Sequence, residues 1–314
     1  MSPVKRTSLL AVLLAASVLT ACSTEGGPEF LSLGTAGTGG IYYPLGGAIA
    51  SRLSIADSAR QFTAEVSGGS VENINRLAAR QMDLAFVLAV TAFQGQQGEG
   101  DFTQAVSDLR ILAPLYPNLT HVLVSGKSAA ETIADFGGMR VSVGAAGSGT
   151  EQMSRHLLEA HGLTYDDINP QYLSFAESST ALRDGAIDAA IISVGYPAAA
   201  VLEATTTGNV KLLPVTAEGV EALRSVHPYY TTGEIPAGTY PGVEEAVPTV
   251  AVINWIVALE SLDDDVVTTL LSMLADDRAS LEQVHAMAKQ IDLDRLVDSP
   301  IPLHPAAVRW MENR

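Results

Sequence analysis

The stretch Leu31–Leu53, LSLGTAGTGGIYYPLGGAIASRL, decides the fold. Leu31 and Leu33 open it as a short apolar strand. Gly34-Thr35-Ala36-Gly37-Thr38-Gly39-Gly40 follows as a loop. Pro44 then stands near the first turn of a helix whose Leu45, Ile49 and Leu53 recur at four-residue spacing. A glycine-rich loop running into a helix leaves the first backbone N–H groups without intrahelical acceptors, and the peptide dipoles make that end slightly positive. Such a place binds anions. The two loop threonines add hydroxyl donors, and Tyr42 and Tyr43 can wall a small pocket.

The pattern returns in Arg140–His161, RVSVGAAGSGTEQMSRHLLEAH. Val141 and Val143 form the strand, and Gly147-Ser148-Gly149-Thr150 ends the loop. Glu151 is the acidic first-turn residue, and Met153, Leu157 and Leu158 give the helix its apolar face. Each loop alone reads equally as a tight turn or a helix cap. Two such strand–loop–helix sites in two halves of one chain point to two lobes facing a shared ligand.

Working outward, Phe62–Val66 reads as a second strand and Ser67-Gly68-Gly69-Ser70 as a loop and N-cap. Val71, Ile74, Leu77 and Ala78 share a helical face, and Asp83–Val87 is a third strand. This βαβαβ order predicts a parallel sheet whose loops gather at the strands' C-terminal ends. Gln94–Gly100, polar and glycine-rich, reads as a loop. Ile111–Ser125 carries the chain across as two strand-like pieces joined by a turn at Pro117-Asn118. The second half adds a strand near Gln171–Ser174, a helix from Ser178, a buried-type strand at Ala189–Ser193 before Gly195-Tyr196-Pro197, and a strand at Lys211–Val215. The chain returns near Val226–Pro241. The apolar run Val250–Leu259 falls well short of the roughly 20 residues of a membrane span and reads as a core strand. Two helical patterns close the chain, one after Asp263–Asp265 and one through Leu281, Val284, Met287 and Ile291.

The N-terminus has a different character. Lys5 and Arg6 precede an apolar run, Leu9–Val18, and then Leu19-Thr20-Ala21-Cys22. This is the layout of a secretory signal peptide, and it resembles a bacterial lipobox in which Cys22, the chain's sole cysteine, becomes the lipidated first residue. The expected organisation is therefore a lipoprotein signal peptide over 1–21 and a tether over 22–29. Lobe 1 is expected from 30–115 and 230–314, and lobe 2 from 116–229. One cysteine leaves no internal disulfide, so an exported chain must be stabilised by its core. With 314 residues, 47% hydrophobic and 17% charged, it has enough chain for two such cores.

The formal net charge is −17; residues 1–21 carry two cations and no acids, so the mature chain stands at −17 − 2 = −19. That argues against nucleic acid and against adhesion to anionic lipid. It does not exclude a small anion, because charge beyond roughly 8–10 Å is screened. Enzyme signatures are missing. Gly144–Thr150 lacks the lysine of a P-loop, Gly34–Gly40 lacks dinucleotide spacing, and no G-x-S-x-G elbow is present. The six histidines form no zinc pattern, and the Asp166-Asp167 and Asp263–Asp265 runs read as acidic helix starts rather than calcium ligands. The expectation is no enzyme, no cofactor and no metal.

Taken together, GTAGTGGIYYPLGGAIA, VSGGSVENI, VSVGAAGSGTE, GYP and IPAGTYPG resemble the TAXI family, the solute-binding proteins of tripartite ATP-independent periplasmic (TRAP) transporters. The blocks keep the family's order from about Leu31 to Ala258. The resemblance implies an α/β, two-lobed periplasmic-binding-protein fold of type II-like form, with a ligand cleft between lobes. It implies capture of a small organic anion, an amino acid or dicarboxylate such as glutamate or 2-oxoglutarate, and delivery to TRAP membrane permease subunits. The setting would be extracytoplasmic, in the periplasm or at the cell surface, with the lipid on Cys22 as anchor. A binding protein for an ABC transporter or a sensor kinase is the first alternative, and an enzyme on the same fold is the second. The expected ligand residues are Gly37, Thr38, Gly39, Gly40, Tyr42, Ser67, Ser70, Thr91, Gly147, Ser148, Gly149, Thr150, Gly195 and Tyr196. There is one departure: family members often carry a polar stretch, frequently with glutamine, where this chain has Leu88-Ala89-Val90-Thr91. That points to a less polar ligand, or to Thr91 and water in place of the lost contact.

Overall fold

A computed structural model describes residues 28–207 and 209–314. The expected signal segment, Cys22 and most of the tether lie outside the described residues.

The first βαβαβ unit forms as the periodicity dictates. Strand β1 (Glu29–Gly34) leads through the glycine loop to α1 (Tyr42–Ala56), then β2 (Arg60–Glu65), α2 (Ser70–Ala78) and β3 (Leu84–Leu88). β1 pairs in parallel with both β2 and β3. Every residue of β3, LAFVL, is buried, as a strand covered on both faces must be. Helix α3 (Ala89–Gln97) starts where β3 ends, so the loop expected at Gln94–Gly100 begins only at Gly98, whose φ of 74° terminates the helix. Gln94 belongs to the helix, and it is buried because its partner comes from the other half of the chain.

The crossing segment differs most from expectation. Leu109–Ser125 is one continuous strand, β4, with no turn at Pro117-Asn118. Its neighbour β10 (Val247–Leu259) explains why. Ile253 faces Pro117 and Trp255 faces Pro114, so three steps along β4 oppose two along β10. This bulge interrupts the ladder where the prolines have no N–H to give.

The second half repeats the parallel pattern with β5 (Arg140–Ser142), α4 (Gly149–Ala160), β6 (Asn169–Gln171), α5 (Phe175–Arg183) and β7 (Ala189–Val194). Helix α6 (Ala199–Thr207), β8 (Val210–Leu213), α7 (Ala217–Val226) and β9 (Tyr230–Ile235) follow. After β10, α8 (Asp264–Asp276), a short α9 (Arg278–Glu282), two 3-10 turns and α10 (Pro305–Glu312) complete the chain.

The strand order is β2-β1-β3-β10-β4-β7-β5-β6, with β8 on β4 and β9 on β10. β4 and β10 serve both halves. β10 pairs with β3 through Asn254–Val257 and with β9 through Val247–Val252, while β4 passes from β10 to β7 at Leu119. The lobes are thus joined by two long strands with a bulge between them. Tyr230–Ile235 was expected in lobe 1, but it packs with α7, and Tyr230 meets His156 of α4 through its hydroxyl at 3.1 Å. The chain re-enters the first lobe along β10.

Candidate functional site

The loops after β1, β2, β5 and β6 and the ends of β3 and β7 meet around a cavity of about 90 Å³. The first lobe contributes Ala36, Gly37, Gly40, Ile41 and Tyr42 at the start of α1, Ser67–Ser70 at the start of α2, and Leu88 ahead of α3. The second lobe contributes Ala145, Ser148, Gly149 and Thr150 at the start of α4, Ser174 and Phe175 at the start of α5, and Ser193 and Val194 at the end of β7. Tyr116 and Asn118, two apart on β4 and therefore on one face, complete it from the connecting strands. Four helix N-termini converge on one small space, and among the described residues no charged side chain lines it.

The donors divide into those spent on the fold and those left over. Ser67 donates to the Thr35 carbonyl or to Asn73 and accepts from the Gly69 N–H at 3.1 Å, so it holds its own loop. Ser174 and Glu177 form a closed capping box. Ser70 accepts from the Leu88 N–H at 3.1 Å and its hydroxyl faces the Tyr42 oxygen, whereas Ser148 accepts from the Glu151 N–H at 3.0 Å and keeps its hydroxyl proton to give. The first N–H groups of α4, those of Gly149 and Thr150, have no helical acceptor. The Tyr42 hydroxyl donates to Asn254, whose amide donates to the Tyr116 carbonyl at 2.7 Å and to Asn118 at 2.8 Å. Asn118 in turn donates to the Ser193 carbonyl at 2.9 Å. This buried chain ties the cavity wall to the bulge between the two connecting strands. Burial pushes the Tyr42 and Tyr116 phenols well above their usual range, so both are neutral donors.

The lobes touch directly around the cavity. The Val71 and Glu72 N–H groups, orphans of the first turn of α2, donate to the Gly147 carbonyl of the opposite lobe at 3.1 and 3.0 Å. The Ala200 N–H of α6 donates to the Gly39 carbonyl at 3.3 Å. Each lobe thus caps a helix of the other. Farther out, Thr91 donates to Gln152 at 2.7 Å, Gln152 to Gln94 at 2.5 Å, and Arg155 pairs with Asp101 at 3.0 Å. The approach is close at Gly149: a Cβ there would lie 2.7 Å from the Leu88 Cδ1 and 2.8 Å from the Ser70 Oγ.

Of the residues expected from sequence, the structure places Gly37, Gly40, Tyr42, Ser67, Ser70, Ser148, Gly149 and Thr150 on this cavity. Thr38, Gly39, Thr91, Gly147, Gly195 and Tyr196 do not line it. Gly39 and Gly147 offer their carbonyls to the facing lobe, and Thr91 is fully buried and spent on Gln152. Gly195 is packed so closely that a Cβ would lie 2.7 Å from Ile41. The Tyr196 hydroxyl meets Gln290 at 3.4 Å. Leu88, from the stretch singled out as less polar than in the family, lines the cavity, and Ile41, Tyr116, Asn118, Ser174, Phe175 and Ser193 join it without a sequence expectation. Among the described residues, no group of three or more histidine, cysteine or acidic side chains is placed to hold a metal ion.

The model of the NMT1-like family matches residues 33–313. A protein of Escherichia coli (strain K12) named "Putative aliphatic sulfonates-binding protein" is 34% identical over 100 residues, 32% of this chain. The match spans only 30% of that relative's length. Among solved structures, the alkanesulfonate-binding protein SsuA from Xanthomonas axonopodis pv. citri bound to MOPS aligns over 92% of this chain and 85% of its own, with a TM-score of 0.51 and 18% identity. PhnD1 from Prochlorococcus marinus (MIT 9301) in complex with methylphosphonate aligns over 91% and 97%, with a TM-score of 0.56 and 13% identity. The periplasmic binding protein BugD aligns over 91% and 96%, with a TM-score of 0.54 and 14% identity. The fold is accordingly the α/β, two-lobed periplasmic-binding-protein fold.

Proposed function

The chain belongs to the NMT1-like family, and from that premise we propose that it is an extracytoplasmic solute-binding protein, not an enzyme, that captures a small organic anion and hands it to a membrane transporter. The observation that carries this reading is the convergence of four helix N-termini from two lobes on one cavity without a charged side chain. Aligned peptide dipoles and spare N–H and O–H donors stabilise an anion there. Each charge-assisted bond contributes about 1.5–3 kcal/mol once water is excluded. The mutual capping at Gly147 and Gly39 forms only when the lobes meet, so a ligand held from both sides favours the closed arrangement.

The finer reading is a lipid-anchored TAXI-type protein that delivers a carboxylate to a TRAP permease. It rests on the sequence blocks around Gly34–Gly40, Ser67–Ser70 and Gly144–Thr150, two of which face each other across the cavity at Gly69 and Ser148. The second reading is a sulfonate carried to an ABC transporter, favoured by the identity shared with the Escherichia coli relative. Two measurements decide. Mass spectrometry of small molecules released from the purified, denatured protein names the ligand, and a sulfonate there removes the carboxylate reading. Uptake into vesicles holding the partner permease should run on an ion gradient without ATP; strict ATP dependence removes the TRAP assignment. Chemical turnover of the bound molecule would overturn the binding-protein reading.

A further inference from the structure

The cavity lining has two chemically different parts. One is the ring of helix starts with Ser70, Ser148 and Thr150. The other is the strand floor, where Tyr116 and Ser193 line the cavity and their buried hydroxyls have no hydrogen-bond partner among the described residues. Tyr116 is 0% and Ser193 2% exposed. Buried hydroxyls are rarely left unpaired, because an unmet one costs its whole desolvation penalty. The rest of the lining includes the apolar side chains of Ile41, Leu88, Phe175 and Val194.

The charges nearby are already engaged. Glu72 accepts from the Gly68 N–H at 2.8 Å, and Glu151 is held by Arg155 and Tyr165. Among the described residues, the cavity lining holds no carboxylate to meet an ammonium and no cation to meet a second anion. Resting on the reading of the protein as an anion-binding solute carrier, we propose that its ligand is a monoanion: one acidic head at the helix starts, an apolar body, and a neutral hydroxyl or carbonyl at the far end met by Tyr116 and Ser193. An α-amino acid would bury an unpaired ammonium, and a dicarboxylate would set a second charge on two neutral hydroxyls. Both costs exceed what neutral hydrogen bonds return.

The test uses the mature chain and probes matched in length but not in far end: 4-hydroxybutyrate, butyrate, 4-aminobutyrate and succinate, with the five-carbon homologues and 3-hydroxypropanesulfonate beside them. Calorimetry should rank the hydroxyl-ended acid at least tenfold above the methyl-ended one, with the amino acid and the diacid weaker still. Tyr116→Phe combined with Ser193→Ala should abolish the advantage of the hydroxyl-ended probe over the methyl-ended one, in a protein that melts near the wild-type temperature. The sulfonate arm reports which acidic head is preferred. Equal or tighter binding of the diacid or amino acid overturns the proposal and leaves the solute-binding reading standing. If no probe binds, the charge of the molecule recovered from the native protein decides: a monoanion supports the proposal and any second charge overturns it. No binding and no recovered molecule overturns the solute-binding reading as well.

Discussion

Gly149→Ala separates closure from folding. The added Cβ would stand 2.7 Å from the Leu88 Cδ1 and 2.8 Å from the Ser70 Oγ, and 3.4 Å is the lower edge of ordinary contact, so the lobes must part there by about 3.4 − 2.7 = 0.7 Å. Neither neighbour moves freely: Leu88 is 2% exposed, and the Ser70 Oγ holds the Leu88 N–H. Parting the lobes weakens the two bonds to the Gly147 carbonyl and lengthens the donors' reach to an anion. Losing the better part of one charge-assisted bond and some of the neutral caps comes to about 2–3 kcal/mol, or about thirty- to 150-fold in affinity. The ligand-free protein should melt no lower, since alanine favours helix over glycine by up to about 1 kcal/mol. Gly47→Ala is the control, because a Cβ there meets nothing within 4 Å. Calorimetry with the molecule recovered from the wild-type protein is the assay. An alanine variant that binds within threefold of wild type would refute the reasoning that the α4 start closes against Ser70 and Leu88.

Three further outcomes follow from other parts of the chain. Replacing Ser148 and Thr150 together by alanine removes two hydroxyl donors at the α4 start; binding should weaken by about 1–3 kcal/mol, and unchanged affinity in a folded double mutant would take this loop out of the site. Burial pushes the His121 imidazole down to about 4, and burial, helped by the His227 and Arg155 charges, pushes His156 down to about 3. Their unfolded values lie near 6.5, so the unfolded chain binds the extra protons; stability is complete above about pH 6.5 and falls by up to about 1.4 kcal/mol per pH unit per histidine as acid is added towards those folded values. A ligand-free melting temperature that stays level from pH 6.5 to 5 would contradict this. Cys22→Ser should release the protein from membranes without changing ligand affinity, and equal retention in the membrane fraction would defeat the lipid anchor.

The parts of this architecture that local chemistry controls were legible in the sequence. Glycine loops between an apolar strand and a periodic helix can fold in few ways, so the starts of α1, α2 and α4 were found, and with them eight residues on the cavity. The parts set by distant chain were not. Pro117-Asn118 has the composition of a turn, and only the bulge at Ile253–Trp255, far along the chain, lets both residues sit in a continuous strand. Gln94 reads as loop because its buried partner, Gln152, lies in the other lobe. Thr91 sits beside the site in sequence and is turned to that same partner. Tyr116 and Ser193 carry no local signature, since each is one hydroxyl in an apolar strand. Ser174 did carry one: its S-x-x-E spacing with Glu177 marks a helix start, the same feature that marked the others.

The central claim is that two lobes close on a small anion about the bulged β4–β10 connection. Its most direct test is a distance. Spectroscopic labels on Ser51 of α1 and Glu159 of α4, both exposed, report the separation of the lobes in a Cys22→Ser background. The account predicts that adding the molecule recovered from the native protein shortens and narrows the label distance and raises the melting temperature together, because a ligand held from both sides favours the closed native state. A raised melting temperature with an unchanged distance would contradict it, since the protein would then bind its ligand without closing.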